Sequence, residues 1–116
     1  MKIVKEKIEV SELKEMSEKM FGSLVKAMVD VKKRIMAVDA PLHADLMEFL
    51  IEQEQSEPEY LWGINIHPDK TGDDFVEFDS MMNLKPALGN KTRGVEDENT
   101  RKIIKEIVHN LCSTKN

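Results

Sequence analysis

Lys85, Gly89, Asn90, Lys91, Thr92 and Arg93 fall within one short polar stretch just ahead of a helical pattern. Cations, a hydroxyl, an amide and glycine-freed backbone N–H groups beside a helix N-terminus are the ingredients of an anion site. Lys85, Asn90, Lys91 and Arg93 are therefore the candidate ligand-binding residues, for a phosphate-bearing molecule such as a nucleotide or RNA. The motif itself is weak: Gly89-Asn90-Lys91-Thr92 imitates the end of a P-loop, but the GxxxxGK[ST] spacing and its strand-to-helix frame are missing. Glu96, Asp97 and Glu98 already bring negative charge to the helix start. The plainer reading is a surface loop whose charges pair locally.

A second set of polar candidates is dispersed: Asp30, His43, Asp45, Glu77, Asp79 and Asn83. Glu77 and Asp79 share one face of a strand pattern, with Asp30 on a neighbouring one, and clustered carboxylates can bind magnesium or perform acid–base work. A nuclease of the Glu-x-Lys type needs lysine where Asp79 stands, so a solvated sheet face that discourages aggregation is the simpler account. His43 and Asp45 are two apart on a helix and point in different directions. The ordinary role of such a histidine is a solvated or locally hydrogen-bonded one.

His67 and His109 lie far from His43, and no His-x-x-x-His spacing occurs. The single cysteine, Cys112, excludes an internal disulfide and a zinc site built on cysteine pairs, and it reads as a half-buried packing thiol. No Gly-x-Ser-x-Gly elbow is present, so nucleophilic catalysis has no support. The expectation is no metal and no cofactor, with catalytic residues unassigned.

The elements that must position these residues follow from periodicity. Ile3-Val4 reads as an edge strand. A helix opens with Ser11 as N-cap, carries Leu13, Met16, Met20 and Phe21, and stops at Gly22. Val25, Ala27, Val29 and Val31 alternate with Lys26, Met28 and Asp30 as a half-buried strand, turning at Lys32-Lys33-Arg34 into Ile35–Val38. Asp39-Ala40-Pro41 predicts a capped helix start. Leu42, Leu46, Phe49 and Leu50 form its apolar stripe, opposite Asp45, Glu48 and Glu52. Residues 60–66 make a strong strand with Trp62 in the core. Phe75–Phe78 and Met81–Lys85 read as two more strands, the last stopped by Pro86. A final helix is capped by Asp97 and packs through Ile104, Ile107, Val108 and Leu111. The order β-α-β-β-α-β-β-β-α predicts an α+β fold: three helices on one face of a mainly antiparallel sheet of about four to six strands.

The 116 residues fit one domain, 1–116, able to bury a core without metal or disulfide. Net charge is −5, which argues against general nucleic-acid binding. The charge is unevenly placed: Asp39 to Asp79 holds twelve acids and one lysine, a balance of −11, while the flanks together carry +6. Such segregation favours oriented association with a charged partner or a second copy. No secretory leader and no stretch of membrane-spanning length is evident, so no membrane association and a cytoplasmic location are expected.

Val25-Lys26-Ala27-Met28-Val29-Asp30-Val31, Ile35-Met36-Ala37-Val38, Leu42-His43-Ala44-Asp45, Leu61-Trp62-Gly63-Ile64-Asn65 and Glu77-Phe78-Asp79-Ser80 with Asn83 together form a pattern. It resembles a family of small uncharacterised prokaryotic proteins, a domain of unknown function with no activity assigned. The resemblance implies a stand-alone prokaryotic cytoplasmic domain. In that family the loop reads more like Arg-Pro-Ser-Gln-Gly-Asn-Arg, where this chain has Lys85-Pro86-Ala87-Leu88-Gly89-Asn90-Lys91. Lysine lacks the two-pronged grip of arginine, which weakens an anion role for the loop. The leading expectation is a binding or interaction module, self-associating or bound to a protein partner; the alternative is an enzyme or sensor for a phosphate-bearing ligand.

Overall fold

A computed structural model describes residues 1–113. Five strands make a sheet in the order β1-β4-β3-β5-β6: β1 (Lys2–Val4), β3 (Val25–Asp30), β4 (Ile35–Val38), β5 (Leu61–Ile66) and β6 (Val76–Glu77). Every pairing in it is antiparallel. A second, two-stranded sheet pairs β2 (Ile8–Glu9) in parallel with β7 (Cys112–Ser113), joining the two ends of the described chain. The helices are α1 (Val10–Met20), α2 (His43–Glu54) and α3 (Glu98–Leu111).

The fold is α+β as expected, with one correction to its layering. Helices cover both faces of the sheet rather than one. Val25, Ala27 and Val29 join Trp62, Ile64 and Ile66 in a core under α1 and α3, where Leu13, Ile104, Ile107, Val108 and Leu111 are buried. Met28, Ala37 and Leu61 face the other way, against Leu46 and Leu50 of α2. The alternation in β3 had marked Met28 and Asp30 as the outward side, yet both are buried. A central strand in a three-layer packing has no solvent face.

The hairpin between β3 and β4 stands where periodicity placed it, and its turn needs no Asn-Gly. The Asp30 carboxylate accepts the N–H groups of Lys32 and Lys33, each at 2.9 Å, and Arg34 takes the left-handed φ of 59°. The same carboxylate accepts the Ser56 hydroxyl at 2.7 Å, tying the turn to the end of α2.

Several boundaries differ from the sequence expectation. Helix α1 begins at Val10 after Glu9, so Ser11 lies inside it rather than capping it. Asp39 does not cap α2: its φ is 75°, and the helix starts at His43 with no side-chain cap. That shift rotates the stripe, burying His43 with Leu46 and Leu50 while Leu42 is exposed. Phe75–Phe78 shrinks to the two residues of β6, and Met81–Lys85 is no strand. Ser80 there accepts the Met82 N–H and sets a single 3-10 turn, Met81–Asn83. Pro86–Leu88 forms another such turn, closed by a main-chain bridge between Lys85 and Asn90. Asp97 caps α3 as read, accepting the Thr100 N–H at 2.9 Å.

Candidate functional site

The Ser80–Gly94 segment folds against β5 through two asparagines. Asn83 is fully buried; its Oδ1 accepts the Gly63 N–H at 2.7 Å, and its Nδ2 donates to Gly63 O and Arg93 O, each at 2.9 Å. Asn90 Nδ2 donates to Asn83 O, Gly94 O and Thr92 O, while its Oδ1 accepts the Glu96 N–H. Gly63 lets this segment approach, because a Cβ there would stand 2.6 Å from Ser80 Cβ and 3.2 Å from the His43 ring. These two amides satisfy loop backbone that burial would otherwise leave unpaired.

His43 lies over the same point. Its Nε2 is 2.7 Å from Ile64 O; a carbonyl can only accept, so Nε2 carries the proton and Nδ1 keeps the lone pair of the neutral ring. Burial lowers its pKa, the Ile64 bond opposes that, Lys26 and Arg93 lower it further and Asp79 raises it. The imidazole is thus neutral near pH 7.

Beyond His43 a polar row crosses the sheet, since Lys26 pairs with Asn65 and Asn65 with Glu77. Asn65 Nδ2 donates to Glu77 Oε1 at 3.0 Å, and His67 Nε2 stands 3.1 Å from the same oxygen. Bonds from Asn65 and His67 hold the Glu77 carboxyl below its ordinary pKa. Arg93 Nε meets Asp79 Oδ1 at 2.6 Å. Asn65 Oδ1 is buried without a partner.

The dispersed candidates therefore divide. His43, Glu77, Asp79, Asn83 and Arg93 gather around β5, whereas Asp30 organises the hairpin turn at the far end of β3 and β5. Of the two roles expected for His43, solvated or locally hydrogen-bonded, the ring is hydrogen-bonded and not solvated, because helix register puts it in the buried stripe. Among the loop cations, Lys85 Nζ sits 5.2 Å from the centre of the Trp62 ring and donates to Met82 O, and burial lowers its pKa. The Lys91 N–H donates to Glu96. The loop thus spends Lys85, Asn90 and Arg93 on internal contacts. Sequence reading missed Lys26, Gly63, Asn65 and Ser80, whose convergence depends on strand register that no local pattern states.

Asp45 points elsewhere, into a groove along α2 of about 330 Å³ lined by Asp39, Asp45, Glu48 and Glu52 around Met1, Pro41 and Phe49. The spacing of Asp45, Glu48 and Glu52 puts them on one helical face. None of the four acids takes part in an ion pair among the described residues, although nine other acids do. Among those residues no group of three or more His, Cys, Asp or Glu side chains is arranged to hold a metal ion, and no helix is long and apolar enough to cross a membrane.

Residues 2–111 match the family described as protein of unknown function DUF5674, and the chain belongs to that family. No curated protein and no solved structure matches it.

Proposed function

We propose, for this member of a family without an assigned activity, a non-catalytic role as a cytoplasmic interaction module whose α2 groove receives a basic partner segment. The observation that carries the reading is the set of four unpaired carboxylates around an apolar floor. Nine carboxylates elsewhere pair with lysine, arginine or histidine, whereas none of these four does among the described residues. A lysine- or arginine-bearing segment with one apolar anchor complements both features, and electrostatic steering accelerates its docking. The partner is another protein, or the net basic flanks of a second copy.

The test is binding of a lysine-rich peptide carrying a single leucine, together with solution mass at low and high salt. Affinity that falls as salt rises, and is lost in Glu48→Lys/Glu52→Lys, supports the groove. A strict monomer at both salts that does not bind the peptide excludes it.

A phosphate-bearing ligand is the second reading, favoured by one observation. Helix α2 starts without a side-chain cap beside His43, where Lys26 and Arg93 both act on the imidazole. A thermal-shift screen with nucleotides and sugar phosphates decides it, because a ligand of the native state raises apparent stability. Arg93→Ala must then abolish the shift.

A further inference from the structure

A cleft of about 740 Å³ opens between α1, α3 and the 68–75 loop, on the α1/α3 side of the sheet, away from the α2 groove. Its size suits a small molecule, since ligand sites commonly span about 300–1,000 Å³ and are mostly apolar with a few polar groups. Val10, Phe75, Val76, Val108 and Cys112 supply the apolar lining. Burial pushes the Cys112 thiol up to about 11, which marks the wall as poorly solvated and the thiol as unreactive.

The rim is charged, and most of that charge is already matched. Lys14 meets Asp69 at 3.5 Å and Lys105 meets Asp73 at 3.2 Å, so the loop is tethered to α1 on one side and α3 on the other. Glu9 accepts the Ser11 hydroxyl at 3.3 Å. Lys70 lines the same cleft and takes part in no ion pair among the described residues. Exposed His109 and Thr71 add polar groups at the mouth.

We propose that this cleft binds a small amphipathic anion, an apolar chain or ring carrying one carboxylate or sulfonate, with the apolar body between Phe75 and Val108 and the head at Lys70. The unmatched cation sets the sign of the ligand, and the apolar lining sets its body. Two ion-pair tethers keep the loop close enough to cover such a body while the head stays at the rim.

Decanoate, kept below its micellar concentration, is the probe, titrated into the ¹⁵N-labelled chain. The expected result is saturable amide shifts confined to residues 9–14, 68–76 and 105–113. Lys70→Glu, an exposed change, weakens binding at least fivefold, and Ser11→Trp, which fills the mouth, abolishes it. Decanol binds more weakly than decanoate to the native chain and equally to native chain and Lys70→Glu. No saturable binding, shifts centred on the α2 groove, or decanoate affinity indifferent to Lys70→Glu each overturns the proposal. None of these outcomes depends on whether a basic segment docks on α2.

Discussion

In the corner built by Gly63, Asn83 and Asn90, buried amides find main-chain partners inside the fold, whereas along α2 four carboxylates face outward with none. Both regions are polar, and the contrast separates two uses of polarity. Amides with internal partners are architecture: they let an irregular segment be buried against β5 without orphaned peptide groups. Carboxylates left unmatched at a concave surface contribute little to stability and are available to something else. Polar residue type alone does not distinguish the two, but hydrogen-bond accounting does.

The sharpest way to break the contrast is Asn83→Ala. It strips partners from Gly63 N–H and Gly63 O at once and leaves Arg93 O with the Ser80 N–H alone, and each buried orphan costs about 1–3 kcal/mol. Urea unfolding should show a loss of about 3 kcal/mol or more; a loss below about 1 kcal/mol would mean that water replaces the amide and the corner is not architectural. Next comes Gly63→Ala, whose Cβ would collide with Ser80. Overpacking of this kind costs about 1–3 kcal/mol, and Ser80→Gly in the same chain should recover part of it. Additive losses in the double variant would rule out the close approach as the cause.

The pH dependence of stability is a smaller effect. The pKa of His43 is lowered by burial, so the folded state binds fewer protons than the unfolded chain. Its contribution is fully present above the ordinary histidine value of about 6.5 and is lost as pH falls through the folded value. Glu77, held low by Asn65 and His67, loses its contribution only at more acidic pH, below the ordinary glutamate range. Denaturation midpoints from pH 7.5 to 5 should therefore fall in the native chain and flatten in His43→Leu; an unchanged slope would place the titrating group elsewhere. The smallest expected effect is Glu48→Lys/Glu52→Lys, which should alter stability by no more than about 0.5 kcal/mol per site, as exposed changes do. A much larger loss, read in the same urea experiment, would show that the groove is structural after all.

How much of this was legible in the sequence depended on chain distance. The β3–β4 hairpin, the Asp97 cap and the α3 stripe are written in residues a few positions apart, and periodicity found them. Asp45, Glu48 and Glu52 were visible as one acidic helix face for the same reason. The Asn83 role was not, because its partners are twenty residues back and ten ahead. Met81–Lys85 has the composition of a strand, but Ser80 and the Asn83 anchor offer its backbone a tighter turn with better partners. The charge asymmetry was real in sequence; only the fold could show which acids had found cations.

The parallel pair of β2 with β7 carries a further consequence for how the molecule is made. Ile8 faces Cys112, and Lys7 Nζ donates to Asn110 O, so nearly the whole chain separates the partners. On a ribosome the sheet's hairpins can form early, but the side of the core that α3 closes stays open until that helix has been synthesised. Until then Ile64, Ile66 and Val25 lack a wall that Ile104, Ile107 and Val108 later provide. Folding during translation is consequently gated at its final step, and a chain stalled before α3 is the species that chaperones and proteases should recognise first.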